Sequence, residues 1–173
     1  MKTLVLTVIG DDRVGLVEAI ARVAFEHGGN WENSELAELA GTFAGVIEVS
    51  VPTARVEELR DALSGLDGLL TIAIHSTTPD PAGERRHVTF GVLGNDHPGI
   101  VRDISAALHA HGVGIDHLTS HTRDAAMSGG RLFEATIVAR VPASVDLDAV
   151  RTELERLAAE VQVDITIEDR PSG

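Results

Sequence analysis

The chain of 173 residues contains no cysteine, and aromatic residues make up only 3% of it. The absence of cysteine excludes disulfide bonds, cysteine-ligated zinc and a thiol nucleophile. Basic residues are also few, since 14 Lys and Arg stand against 27 Asp and Glu and give a formal net charge of −13. Nucleic-acid binding requires a basic surface that displaces counterions, and often aromatic side chains on which bases stack. The composition therefore argues against direct binding of DNA or RNA.

Long apolar runs are missing as well, because no stretch approaches the roughly 18 apolar residues of a membrane helix. The N-terminal ten residues are largely apolar, but Thr3 and Thr7 interrupt them. Asp11 and Asp12 then follow where a signal peptide would need small residues for cleavage. We therefore expect a cytoplasmic protein that does not bind membranes. Hydrophobic residues make up 43% of the chain, which is enough to form a folded core.

Two segments of the chain repeat each other at an offset of 84 residues. Between residues 4–28 and 88–112, eight of 25 aligned pairs are identical, whereas ordinary composition gives about two by chance. The identical pairs are Val8/Val92, Gly10/Gly94, Asp12/Asp96, Gly15/Gly99, Val17/Val101, Ile20/Ile104, His27/His111 and Gly28/Gly112. A repeat of this length predicts two tandem domains, at residues 1–77 and 87–169, joined by a Pro- and Gly-rich linker at residues 78–86.

Each copy shows the same succession of hydrophobic patterns. Strand-like runs and helical spacing alternate in the order β-α-β-β-α-β, which predicts two α+β units of the ferredoxin-like type. Predicted strands cover residues 3–9, 31–39, 42–51, 69–74, 88–93, 115–123, 132–141 and 163–167, and predicted helices cover 16–27, 56–66, 99–111 and 147–161. An antiparallel sheet with helices on one face leaves its other face and an edge uncovered. We therefore expect the units to pack together as a pseudo-dimer, and further homodimerisation is plausible.

The segment between the first strand and the first helix is the most informative part of each copy. It reads Gly10-Asp11-Asp12-Arg13-Val14-Gly15-Leu16-Val17 in the first copy and Gly94-Asn95-Asp96-His97-Pro98-Gly99-Ile100-Val101 in the second. A glycine at a helix start lets a carboxylate approach unpaired amides and the positive end of the helix dipole. The aspartate three residues earlier either caps the helix or accepts hydrogen bonds from an ammonium group. A free amino acid carries both of these groups.

These turns, together with His27-Gly28-Gly29-Asn30-Trp31 and the segment from Ser34 to Gly45, resemble the tandem ACT-domain family. The resemblance is to the small acidic subgroup of glycine cleavage system transcriptional repressors, and it covers nearly the whole chain. It implies a ligand held by the first turn of one unit and the start of the second strand of a neighbouring unit. The residues that it places at the ligand are Asp12, Arg13, Val14, Gly15, Leu16, Asn30, Asp96, His97, Pro98, Gly99 and Ile100. Gly114 departs from the family pattern, which has asparagine there.

The resemblance implies a non-enzymatic regulatory protein without a cofactor. Such a protein senses a small amino acid, with glycine or serine favoured, and acts through contact with a transcription regulator or a metabolic enzyme. Two alternatives stay open. One is a ligand-free adaptor that uses its sheet edges, and the other is a detached regulatory subunit of an amino-acid or folate enzyme. No nucleophile-base motif or phosphate-binding loop favours catalysis.

Eight histidines raise the question of a metal site. His109 and His111 are two residues apart at a helix end and point to different sides. His117 and His121 share a strand face, but four residues of strand separate them by about 13 Å. We therefore expect no metal site.

Overall fold

The computed structural model describes residues 1–76, 85–125 and 130–170, and the chain divides into two compact units. The elements of the first unit are β1 (Lys2–Asp11), α1 (Leu16–Glu26), β2 (Asn30–Leu39), β3 (Thr42–Val51), a 3-10 turn (Thr53–Arg55), α2 (Val56–Ser64) and β4 (Thr71–Ser76). Its four strands form an antiparallel sheet in the order β2-β3-β1-β4. The predicted β-α-β-β-α-β order is confirmed for this unit.

The second unit repeats the same arrangement. Its elements are β5 (Arg85–Asn95), α3 (Ile100–Ala110), β6 (Gly114–Asp124), β7 (Arg131–Pro142), α4 (Leu147–Val161) and β8 (Val163–Arg170). The antiparallel sheet has the order β6-β7-β5-β8, which matches the first unit strand for strand. The α+β prediction of two ferredoxin-like units is therefore confirmed.

Each unit has its own hydrophobic core beneath its pair of helices. In the first unit alternate residues of β1, namely Leu4, Leu6 and Val8, are buried with Ile20 of α1 and Leu59 of α2. This period of two places one face of the strand under the helices and the other face outward. The corresponding positions Val88, Phe90 and Val92 of β5 are buried in the core of the second unit.

The single tryptophan, Trp31, lies at the start of β2 in the first unit. It pairs with Val49 of β3 and is half-buried against the core of that unit. Trp31 is therefore a packing residue of the first unit.

Two details of the chain differ from the sequence-based bounds. Strand β5 begins at Arg85, which pairs with Pro142, so the ladder extends into the predicted linker 78–86. Helix α2 ends at Ser64, and Leu66 and Leu70 fill the core from the connection that follows. The other predicted linker residues up to 84, and residues 126–129 between the predicted strands 115–123 and 132–141, lie outside the described residues. None of the helices among the described residues is both long and apolar enough to cross a membrane.

Candidate functional site

The connection between β1 and α1 is a tight turn that ends in a left-handed glycine. Gly15 is the N-cap residue of α1 with φ 97°, and Gly99 is the N-cap residue of α3 with φ 107°. Residues with a Cβ atom rarely adopt this conformation. The two glycines recur because the backbone of both turns requires them.

The aspartate of each turn is held by its backbone and leaves its side chain exposed. The Asp12 amide donates to the carbonyl oxygen of Gly41 at 2.9 Å, and the Asp96 amide donates to Arg131 at 2.8 Å. Gly41 lies in the turn between β2 and β3, and Arg131 is the first residue of β7, after the connection from β6. In the described part of the chain, no hydrogen bond engages the carboxylate of Asp12 or Asp96, so the helix-capping alternative is wrong. The glycine takes the N-cap position, which leaves the carboxylates available to another partner.

The first turn of each helix presents its backbone rather than its side chains. The first amides of an α-helix have no partner within the helix, and a glycine N-cap supplies no side chain to cap them. The predicted contacts Leu16 and Ile100 have side chains that are 4% and 2% exposed and belong to the two cores. Only the backbone amides of these two residues are placed to reach a ligand, and the predicted ligand contacts of Leu16 and Ile100 stay a prediction about their backbone.

The turn of the first unit is open on its outer side. A Cβ atom placed on Gly15 would meet nothing within 4 Å, and Val14 beside it is fully exposed. Arg13 lies 3.6 Å from Asp11 in a solvent-exposed ion pair. A cleft of about 240 Å³ adjoins the turn between the end of β1 and the start of β4. Its lining residues are Ile9, Gly10, Asp11, Arg13, Gly68, Leu69, Leu70 and Thr71.

The sequence did not indicate this cleft, because residues 68–71 follow α2 and carry no motif. A signal for their proximity did exist in Gly10. A Cβ atom on Gly10 would lie 2.7 Å from the Leu69 carbonyl oxygen, so glycine permits the α2–β4 connection to approach. Gly94 has the same role in the second unit, where a Cβ atom would lie 2.8 Å from the Gln162 carbonyl oxygen.

The turn of the second unit is occupied by its own side chains. The His97 ring lies 2.8 Å from the Val161 carbonyl oxygen through Nε2, and 3.2 Å from the Pro98 carbonyl oxygen through Nδ1. These carbonyls, Val161 first, raise the pKa of His97. Beside Gly99, Arg102 donates to Asp103 at 2.7 Å and thereby lowers the pKa of Asp103.

The Arg102–Asp103 pair covers the side of Gly99 that is open at Gly15. A Cβ atom on Gly99 would lie 3.2 Å from Arg102 Nη2 and 3.4 Å from Asp103 Oδ2. A larger cleft of about 480 Å³ adjoins this turn, with Leu93, Leu132 and Val163 among its apolar lining residues. The two predicted sites therefore share a backbone and differ in their side chains.

Asn30 lies at the opposite end of the first sheet from Asp12. It pairs with Ser50, which pairs with Thr3, whereas Asp12 follows the far end of β1. Nine residues of strand separate these positions, which corresponds to about 30 Å. A single small amino acid cannot contact both residues within one unit, and the contact between neighbouring units that the resemblance implies stays a prediction.

The Asn30 side chain instead takes part in a polar cluster at the start of β2. Its Nδ2 donates to Glu32 at 3.0 Å, and Ser50 also donates to Glu32. These two hydrogen bonds, Ser50 first, lower the pKa of Glu32. Asn30 therefore has a partner within its own unit.

The equivalent place in the second unit has different chemistry. A Cβ atom on Gly114 would lie 3.4 Å from Arg140 Nη2, so a side chain at this position would contact the guanidinium. Arg140 and His87 both lie near Asp116, at 3.3 Å and 3.2 Å. Among the residues that the structure describes, no group of three or more His, Asp and Glu is placed to hold a metal ion.

Comparison with known proteins connects this geometry to a family. The family model of the ACT domain matches residues 2–76, which is the whole described first unit. The chain is 29% identical over 161 residues to the glycine cleavage system transcriptional repressor of Escherichia coli (strain K12), which covers 91% of this chain and 85% of that protein. The repressor of Shigella flexneri matches with the same identity and coverage.

The fold is also found in a solved structure. A crystal structure of an unknown protein from Galdieria sulphuraria superposes with a TM-score of 0.90 and 28% sequence identity, over 98% of this chain and 99% of that one. The likeness therefore extends over both units. The first unit thus matches the ACT domain, and the chain is similar over most of its length to the glycine cleavage system transcriptional repressor.

Proposed function

We propose that the protein is a non-enzymatic sensor that binds a small amino acid, glycine or serine, at the turn between β1 and α1. Binding changes the contact of the protein with a partner, which is a transcription regulator or a metabolic enzyme. The likeness to a transcriptional repressor supports the regulatory part of this proposal. The net charge of −13 favours action through a protein partner rather than through direct contact with DNA.

The observation that carries the proposal is the open space beside Gly15, which no side chain of the described residues covers. The unpaired amides at the start of α1 form the positive end of the helix dipole, which favours the carboxylate of an amino acid. The exposed Asp12 carboxylate, without a hydrogen-bond partner in the described residues, is a suitable acceptor for the ammonium group. Open space beside Gly15 leaves room for the Cα atom and a short side chain.

The size of the adjoining cleft favours a small ligand. Its volume of about 240 Å³ is below the range of about 300–1,000 Å³ typical of pockets for drug-sized molecules. Glycine has five heavy atoms, and the ceiling of about −1.5 kcal/mol per atom limits its binding free energy to about −7.5 kcal/mol. The dissociation constant is therefore expected in the micromolar to millimolar range.

Thermal denaturation in the presence of glycine and of serine tests the proposal. At a ligand concentration about one hundred times the dissociation constant, the stabilisation is about 2.7 kcal/mol. For a chain of this length it raises Tm by about 5–10 °C. We expect Asp12→Asn to abolish most of this gain, because the amide cannot neutralise the ammonium group. Glu26→Gln, which removes an exposed carboxylate at the far end of α1, is the matched control and retains the gain.

The absence of any Tm increase with a panel of amino acids would contradict the proposal. The same holds if Glu26→Gln and Asp12→Asn lose the gain equally, since the effect would then come from net charge. A partner-binding assay with and without glycine then tests the regulatory step. Unchanged partner binding at saturating glycine would favour the ligand-free adaptor that the sequence left open.

A further inference from the structure

The second turn is connected to the far helix of its own unit through one side chain, His97. Its two ring nitrogens face two backbone carbonyl oxygens, those of Val161 and Pro98. A carbonyl oxygen only accepts hydrogen bonds, so both nitrogens must carry a proton for both bonds to exist. Only the positively charged imidazolium form has two N–H groups. The geometry therefore fits the protonated ring.

The end of α4 that accepts this hydrogen bond carries a partial negative charge, which suits the positively charged ring. Val161 is the last residue of α4, and its carbonyl is among the group that has no partner within the helix. The negative end of the helix dipole at this point favours a cation. Asp96 of the turn and Asp103 of α3 are the charged side chains whose field acts on the ring, and both favour its protonation. Asp103 also forms an ion pair with Arg102, and Glu160 of α4 forms an ion pair with Arg156.

The first unit has no equivalent connection among its described residues. Arg13 stands at the position of His97 and pairs with Asp11 within the turn. Gly15 is open where Gly99 is covered by the Arg102–Asp103 pair. The two turns therefore differ in whether their side chains are already engaged.

We propose that His97 is a positioning residue that clamps the second turn onto the C-terminal end of α4 through two hydrogen bonds while its ring is protonated, and that loss of one ring proton removes one of these bonds and loosens the turn. The clamp makes the two turns unequal as amino-acid sites. The first turn accepts an amino acid across the neutral pH range, and the second accepts one more readily after deprotonation. The statement about amino acids rests on the function proposed above, whereas the clamp itself does not.

The pH dependence has a definite sign. A histidine whose folded-state pKa is raised stabilises the folded state fully below its unfolded value of about 6.5. That contribution is lost as the pH rises through the higher folded-state value. We therefore expect the clamp to be strongest in mildly acidic solution and to weaken on the alkaline side.

Nitrogen NMR of the histidine rings in the full chain, without any amino acid added, tests the clamp directly. At pH about 6 we expect both Nδ1 and Nε2 of His97 to be protonated and slow to exchange, with a titration midpoint above about 6.5. A bare ring nitrogen at that pH, or a midpoint at or below about 6.5, would overturn the proposal. No substituted protein is needed for this measurement.

Substitution gives a second readout at the helix that His97 contacts. In the unsubstituted chain, we expect amide hydrogen exchange in the last turn of α4 to accelerate with pH beyond the intrinsic rate. His97→Ala should show the fast exchange at low pH already and lose this extra dependence. His109→Ala, which removes another histidine of α3, is the control and should keep it. Equal behaviour of the two variants would overturn the clamp.

A glycine titration followed by amide NMR signals connects the clamp to ligand binding. We expect the Gly15 and Leu16 signals to shift similarly at pH about 6 and about 8.5, and those of Gly99 and Ile100 to shift more strongly at the higher pH. In His97→Ala the second turn should respond similarly at both. Equal shifts at both turns at pH about 6 would overturn the claim that the turns are unequal. If glycine shifts neither turn, the proposed glycine sensor fails, while the ring titration and the exchange data still decide the clamp.

Discussion

The first and second turns have the same backbone conformation, but side chains cover the glycine of the second turn only. Both place a left-handed glycine at the N-cap, and both tie an aspartate amide to the following hairpin. The first turn leaves its glycine open, whereas the second covers it with Arg102 and Asp103 and directs His97 onto α4. Duplication therefore retained the backbone geometry while the side chains around it diverged.

Charge distribution along the two helices explains part of this divergence. In the first unit Glu18 pairs with Arg22, one helical turn further along α1. The equivalent position in the second unit is Arg102, which pairs with its neighbour Asp103 beside the glycine. A change at one position of the first helical turn thus decides whether an ion pair lies at the turn or away from it.

Substitution of the strand-end glycines should have the largest effect and should be equal in the two units. Gly10→Ala and Gly94→Ala each place a Cβ atom within 3 Å of a backbone carbonyl oxygen. Because backbone must shift, we expect each to lower the free energy of unfolding by about 2–3 kcal/mol. Chemical denaturation measures this loss. Gly91→Ala on the same strand is the control, since its Cβ atom would meet the side-chain oxygen Thr166 Oγ1, which can rotate away.

The N-cap glycines should show a smaller and again similar cost. Gly15→Ala and Gly99→Ala force a residue with a Cβ atom into a left-handed conformation, which costs about 1–2 kcal/mol. Asn tolerates this conformation better, so Gly15→Asn and Gly99→Asn should lose less stability in the same denaturation assay. A difference between the two turns larger than about 1 kcal/mol would show that their backbones are not equivalent.

Removal of the ion pair at the second turn should have the smallest effect on stability. Arg102 and Asp103 lie at the surface, so Arg102→Ala should change the free energy of unfolding by less than about 0.5 kcal/mol. Loss of the Arg102 hydrogen bond should raise the pKa of Asp103, because that bond lowers it. Carboxyl NMR measures this shift, with Arg151→Ala on α4 as the control. An unchanged Asp103 titration would show that the pair does not form in solution.

The architecture was predictable from the sequence because it depends on local periodicity. The apolar run at residues 3–9 predicted a strand buried on both faces or in mid-sheet, whereas only the face of Leu4, Leu6 and Val8 is fully buried. The spacing of leucines predicted the second helix of each unit. The Ala40-Gly41 pair between the predicted strands 31–39 and 42–51 likewise indicated a hairpin, and the structure shows both residues with positive φ. Such signals lie within a few residues of each other, and the sheet order then follows from the repeated β-α-β-β-α-β pattern.

The side-chain contacts of the two turns were harder to predict from the sequence, for a physical reason. The contact of His97 with Val161 joins residues 64 positions apart, and no local pattern encodes it. The partner is a backbone carbonyl oxygen, which every residue type carries, so the sequence does not distinguish it. Asp12 illustrates a second limit, because its spacing suited both a helix cap and a free carboxylate, and only the N-cap position of Gly15 decides between them.

The half-buried indole of Trp31 has a practical consequence for all of these measurements. It is the sole tryptophan of the chain and packs against the core of the first unit. Selective excitation at long ultraviolet wavelengths therefore gives an emission signal from one half of the molecule without any attached dye. An unfolding curve recorded in this way follows the half that carries the open turn, while circular dichroism averages over both halves.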